Sequence, residues 1–403
     1  MQVSDNLHLT YCLNIHPGES WEEVFGVLKK NIPEIKRNIS PDKPFGIGLR
    51  LSAEAAEVLL MENNLDELKK WLTENDCYVF TMNGFPFGNF HDAVVKDEVY
   101  KPDWTTDLRL QYTLDLINVL AELIPENQEG GISTSPLSYK PWIKDAKQLD
   151  FVIKSSCFHL MKCVEELSMI YNTTGKLIHL DIEPEPSCLL ENCEETVFFF
   201  ENYLIPFGMN YFKDKHALPA EESRKMILDH IRVCYDVCHF AVEFQSAENV
   251  IGKFSNAGIK IGKVQISSAL KVLTGENADR KKILAHYSKF AESTYLHQTI
   301  AKDREGKLHY FPDLPEALKN FDNENFREWR THYHVPVFMS AYNELQSTQE
   351  DIFRVFEILK KNKFTHHLEV ETYTWEVLPA NERLPMNESI VRELNWVLHH
   401  LKS

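Results

Sequence analysis

Four oxygen-bearing side chains, Glu183, Asp236, Gln265 and Glu371, each stand at or near the end of a short run with strand character: IHLDIEP, IRVCYDVCH, IKIGKVQISS and HHLEVETYT. Three carboxylates and an amide oxygen held together raise one another's proton affinity unless a cation neutralises them. An oxygen-dominated donor set of this kind favours Mn2+ or Mg2+, with Zn2+, Co2+ or Fe2+ as the remaining choices. Glu183 and Glu371 are the two expected to act as catalytic base and acid as well as ligands. His239 follows Asp236 by three residues and is placed to contact a bound substrate. His332 and His334, in HYHVP, share a face and could form a second metal site or a lid, and His297 lies in YLHQT; each is otherwise a satisfied loop residue.

These residues converge only if the strands carrying them lie side by side with the right faces inward. Eight strand-like runs recur along the chain, at 7–16, 45–52, 77–85, 130–138, 176–184, 231–239, 259–268 and 366–374, with helical patterns between several of them. Ser20 and Glu23 form a capping box ahead of the Trp21, Val24, Phe25 and Leu28 stripe, and Thr348 and Asp351 read as a second one ahead of Ile352, Val355, Phe356 and Leu359. Gly258 stops a helix just before the seventh strand. Eight strand-helix units predict an α/β chain folded as a (β/α)8 TIM barrel, a single domain over 1–403. Because such barrels need only about 250 residues, the surplus is expected in insertions at roughly 84–110, 186–230 and 270–347, the last containing a hairpin across the DREG turn.

Alternation fixes the faces, because successive strand side chains point to opposite sides. Ile178, Leu180 and Ile182 should meet helices, leaving His179, Asp181 and Glu183 inward. The same parity turns Asp236, Gln265, Glu369 and Glu371 inward, together with Lys263 and Arg50. Lys263 and Arg50 would stabilise a developing oxyanion or balance buried acids, and one of them is expected to pair with Asp181, while Glu185 shapes the loop or touches substrate. His16, Asn83 and His91 fall just past the first and third strands and are further substrate-contact candidates. The bland alternative is an open antiparallel sheet whose polar face is simply wet.

Charge narrows the partners. With 43 Lys+Arg against 60 Asp+Glu the net charge is -17, which disfavours nucleic acid and anionic membranes and suits a small neutral or metal-chelated substrate. No apolar run approaches the length of a membrane span, so a soluble cytoplasmic protein is expected. The eight cysteines do not read as a disulfide framework, and Cys188/Cys193 and Cys234/Cys238 lack zinc-ribbon spacing.

The strings LDIEP, YDVCH, KVQIS and LEVET resemble the Glu, Asp-x-x-His, His and Glu series of the xylose-isomerase-like TIM barrels, which include sugar isomerases, ketose 3-epimerases and endonuclease IV. LTYCLNIHPGESW, TMNGFPFGNFH, STSPLSYKPW, DIEPEPSCLLE and HLEVETYTWEVLP resemble the EboE family of metabolite-traffic proteins across almost the whole chain. The first resemblance implies metal ligands at Glu183, Asp236 and Glu371 with His239 on the substrate; Gln265 departs from it, standing where a histidine ligand is common. It implies a metal-dependent isomerase or epimerase. The second implies an operon that handles and exports a small metabolite. A metal-free glycoside hydrolase using Glu183 and Glu371, and a non-catalytic metabolite carrier, are the competing readings.

Overall fold

The computed structural model describes all residues except 89–95, 277, 293, 376–377, 379–382 and 403. His91 therefore lies outside the described residues. Eight parallel strands form at the expected places: Leu7–Tyr11, Phe45–Arg50, Cys77–Asn83, Gly130–Thr134, Ile178–Ile182, Ile231–Asp236, Ile261–Ile266 and His367–Val370. From the second strand to the eighth each pairs with its neighbour in chain order, and the eighth pairs with the first. The seam between strands one and two is closed by a Cys12–Gly48 bridge and by Gly48 N–H donating to Thr10 Oγ1 at 3.1 Å.

Helices cover the outside as the apolar parity requires. The Trp21–Ile39 helix starts on the Ser20/Glu23 capping box, and Gly258, at φ +72°, turns the chain from helix Ala247–Asn256 toward strand seven. The second expected capping box does not form. Helix Gln349–Lys361 follows Thr348, whose hydroxyl instead accepts from Ala269 N–H at 2.9 Å and ties the helix to the loop above strand seven.

Two bulges set the inner face. Phe80 is an extra residue in strand three, between the Ile47–Val79 and Gly48–Thr81 pairs, and Gly262 is one in strand seven, between Val233–Ile261 and Cys234–Lys263. The first strand is shorter than expected, because Leu13–Ile15 coils into a 3-10 turn directly after the bridge at Cys12. That turn removes His16 from the inward parity.

The insertion between strands seven and eight is larger than a hairpin. Thr299–Asp303 and Leu308–Phe311 do pair across the DREG turn, with Gly306 at φ +84°. They form one edge of a six-stranded sheet that continues through Phe326–Thr331, Leu270–Leu273, Leu345–Ser347 and Ala341–Tyr342. Leu270–Leu273 follows strand seven after three residues, so this sheet is rooted at the C-terminal end of the barrel. No described helix is long and apolar enough to cross a membrane.

A β-carbon at position 48 would sit 1.9 Å from Glu369 Oε1 and 2.9 Å from the Tyr11 carbonyl oxygen, so the seam admits only glycine. Gly48→Ala is expected to destabilise the protein by about 1–3 kcal/mol, the usual cost of overpacking, read from the denaturant midpoint in urea. An unchanged midpoint would show that the seam is not closed at this position.

Candidate metal centre

At the C-terminal ends of strands five, six and eight the chain places Glu183, Asp236 and Glu371, whose carboxylate oxygens come within 4.8 Å of one another. Backbone bonds fix their heights: Glu183 N–H donates to Thr134 O and Glu371 N–H to Ile266 O, both at 3.0 Å. Asp236 caps the short helix Val237–Val242, its Oδ1 accepting from His239 N–H at 2.9 Å and from the Ser267 hydroxyl at 2.8 Å. This leaves Asp236 Oδ2 buried with no hydrogen-bond partner among the described residues, as is Glu183 Oε2. Tyr373 OH donates to Glu371 Oε1.

Burial raises all three carboxyls above their ordinary range. Glu371 and Asp236 add repulsion at Glu183, and Asp236 adds it at Glu371. The inward-facing basic side chains expected to offset this charge are engaged elsewhere. Lys263 Nζ bonds Glu369 Oε2 at 2.7 Å in a fully buried pair one pleat below. Arg50 donates to Gly18 O and Gly88 O, each at 2.8 Å, and pairs with Glu19 at 2.7 Å. Asp181 takes neither of them; its Oδ1 lies 2.6 Å from His179 Nδ1.

Three imidazoles complete the centre. His239 Nδ1 faces Pro184 O at 2.9 Å, His332 Nδ1 faces Gln298 Oε1 at 2.8 Å, and His334 Nδ1 faces Glu371 O at 3.2 Å. Gln298 is oriented by its own Nε2, which donates to Pro186 O at 2.9 Å and to Tyr100 OH at 3.0 Å. Carbonyl oxygens only accept, so each Nδ1 carries a proton, which leaves Nε2 to present the lone pair of a neutral ring. Those nitrogens meet: His332 Nε2 is 3.2 Å from His239 Nε2 and 3.3 Å from His334 Nε2. Burial, then the neighbouring rings, push His332 well below its ordinary range, and burial and His334 lower His239 to about 3. The separations match ligand edges of about 3.3 Å around a tetrahedral ion with bonds of about 2.0–2.1 Å. His334 Nε2 also lies 3.9 Å from Asp236 Oδ2, linking the imidazoles to the carboxylates. Orphaned carboxylate oxygens and facing nitrogen lone pairs are a donor set that fits a divalent metal ion.

A cavity of about 770 Å³, counting its open mouth, rises from these residues and takes in Asn14, Asn83 and Tyr100. Asn83 Oδ1 accepts from Phe85 N–H at 3.0 Å, and its Nδ2 faces Cys12 Sγ at 3.4 Å. Glu185 lies on the wall, where Tyr100 OH donates to it at 2.6 Å; burial outweighs that bond and raises its carboxyl to about 8.

Of the remaining candidates, Gln265 stands beside Asp236, while His16 and His297 are engaged elsewhere. Gln265 is buried in the wall, in register with Asp236 on one side and Glu369 on the other. His16 Nε2 bonds Tyr11 OH at 2.9 Å beside Arg50, in a separate crevice. His297 lines the cavity, but its Nδ1 faces His332 O at 3.0 Å and its Nε2 faces Glu292 at 2.7 Å. Tyr100, Gln298 and Tyr373 were not singled out in the sequence. Only Tyr373, two residues beyond Glu371 on the same parity, carried a signal there.

No family model matches the chain, and no curated protein matches it in sequence. Among solved structures, a xylose isomerase-like TIM barrel protein from Mycobacterium smegmatis in complex with magnesium is similar, with a TM-score of 0.50 and 9% identity over 98% of this chain and 96% of that one. A D-tagatose 3-epimerase-like protein matches at TM-score 0.48 and 12% identity, over 98% and 100% of the two chains. The IOLI protein with a binding zinc atom matches at 0.46 and 13%, over 98% of each. What the chain shares with the first of these is the fold, a (β/α)8 barrel.

The Nδ1 contacts lead to a direct expectation for the free protein. Long-range 1H–15N NMR on histidine-labelled, metal-free protein should show His239 and His332 neutral and protonated at Nδ1 at pH 7. Protons at Nε2 on both rings would contradict the lone-pair geometry.

Proposed function

We propose that this chain is a divalent-metal-dependent isomerase or epimerase acting on a small sugar- or cyclitol-like polyol. The observation that carries the reading is the Glu183, Asp236 and Glu371 cluster, buried, with orphaned oxygens and its nearest cationic side chains bound elsewhere. Magnesium in the similar M. smegmatis barrel agrees with a metal of this class.

Glu183, Asp236, Glu371 and His334 would hold the ion, His334 taking the imidazole role that Gln265 cannot fill. Mn2+ accepts both oxygen and imidazole donors and is favoured, with Zn2+, Co2+ and Fe2+ close behind and Mg2+ less suited to the nitrogens. When bound, the ion would polarise a substrate carbonyl and acidify the adjacent C–H. Glu183 and Glu371 project from strands five and eight, so they reach a substrate from different sides of the barrel mouth. Burial and repulsion within the cluster raise both carboxyls, so each holds a proton more readily than an exposed carboxylate does. His239, Asn83 and Glu185 would orient hydroxyl groups, while Lys263 and Arg50 act as structural cations. The strings that resemble the EboE family support a substrate drawn from metabolite processing and export.

Protein purified without chelator is expected to contain near-stoichiometric Mn, Mg, Zn, Co or Fe by elemental analysis. Glu183→Gln and Asp236→Asn should weaken metal binding at least as much as the ~10–100-fold that loss of an outer-shell partner costs. Protein that stays metal-free after Mn2+ titration would overturn the reading. Metal-loaded protein in D2O should place deuterium in a candidate ketose, and Glu371→Gln should abolish it; binding without exchange across a ketose panel would instead indicate a carrier.

A further inference from the structure

The opposite end of the barrel holds a second set of donors that the proposed chemistry does not use. His179 and His367, on the inward parity of strands five and eight, are 0% and 1% exposed. Glu129 immediately precedes strand four and is partly buried beside them. Ligand atoms of these three residues lie within 4.8 Å of one another.

Hydrogen bonding fixes the tautomer of His367. His367 Nε2 lies 3.1 Å from Glu129 O, a carbonyl that can only accept, so Nε2 carries the proton and Nδ1 a lone pair. His179 Nδ1 lies 2.6 Å from Asp181 Oδ1, and a proton held on Nδ1 leaves Nε2 as the lone-pair nitrogen. His367 Nδ1 and His179 Nε2 are both buried with no hydrogen-bond partner among the described residues. Neither satisfies the other; the ring centroids lie 5.4 Å apart with their planes at 25°. Burial, reinforced by Arg232 at His179 and by His179 at His367, holds both rings well below their ordinary range and hence neutral.

Glu129 supplies the negative charge. Its carboxylate is held by the His366 bond at 2.8 Å and by Arg232 at 3.4 Å. Room for the rings is built into the backbone: a β-carbon at Gly131 would lie 2.6 Å from His179 Cε1 and 3.0 Å from His367 Nδ1. A crevice lined by His8, Glu129, His366 and His367 opens from this floor to solvent.

From this geometry we infer that the N-terminal floor of the barrel is a second metal site, in which His179 Nε2, His367 Nδ1 and the Glu129 carboxylate bind a Zn2+-class ion. Two neutral imidazoles and a carboxylate are a donor set that zinc and its first-row neighbours take, leaving a fourth position open toward the crevice. Asp181 supplies the outer-shell contact that fixes a ligating histidine's tautomer. This site is separate from the carboxylate centre and does not depend on its chemistry.

The test removes the upper centre first. Asp236→Asn protein, made metal-free and titrated with Co2+, is expected still to bind one equivalent, with the visible absorption of a nitrogen-ligated ion, and Zn2+ should displace it. His367→Gln in that background, shown folded by circular dichroism, should weaken Co2+ binding at least about 100-fold, the upper end of an outer-shell loss. If His367→Gln does not fold, Glu129→Gln, nearer the surface, should weaken it at least about 10-fold. Zinc-soaked wild-type crystals should show anomalous density between His179 and His367. Absence of that density, no bound equivalent in Asp236→Asn, or unchanged binding in the folded ligand variants would overturn the site.

Discussion

A carboxylate removed from water is costly unless a partner neutralises it, and this barrel holds several in its interior. The middle layer is balanced by the Lys263–Glu369 pair, whose two side chains are both fully buried. Lower down, His179 meets Asp181, and Arg232 and His366 meet Glu129. At the top three carboxylates crowd together without such a partner among the described residues. Glu183, Asp236 and Glu371 share one small volume, while the inward cations that could reach them are committed below or to the loops. The proposal of a bound divalent cation rests on that imbalance.

The fold supplies the rest of the centre from a distance in sequence. The added sheet grows from strand seven and returns through Phe326–Thr331, which delivers His332 and His334 over the barrel mouth. Gln298, on the stretch leading into Thr299–Asp303, then locks His332, and its amide is itself held by Tyr100 and Pro186. The insertion is therefore part of the site rather than a covering over it. An imidazole arriving from the insertion also accounts for an amide at strand seven, because Asp236 gains a nitrogen neighbour without one from Gln265.

Much of this was legible in the chain because strand alternation is a local signal. The eight barrel strands and the inward parity of Glu183, Asp236 and Glu371 follow from residues within each run. What depended on long-range geometry was hidden. A 3-10 turn after Cys12 carries His16 away, two bulges shift register at Phe80 and Gly262, and the Thr348 hydroxyl is taken by a backbone amide 79 residues distant. HYHVP was visible as a pair of histidines, but nothing local could show that their nitrogens would meet His239. Charge pairing was equally nonlocal: Asp181 has a histidine two residues away on the same strand face, and Lys263 finds Glu369 instead.

The central claim is that an ion occupies the carboxylate trio. Diffraction from a crystal soaked in Mn2+, with data collected above and below the manganese absorption edge, tests it most directly. The account predicts an anomalous peak bounded by Glu183, Asp236, Glu371 and His334. Clear density for all four side chains with no peak among them, in a crystal that shows manganese elsewhere, would contradict it.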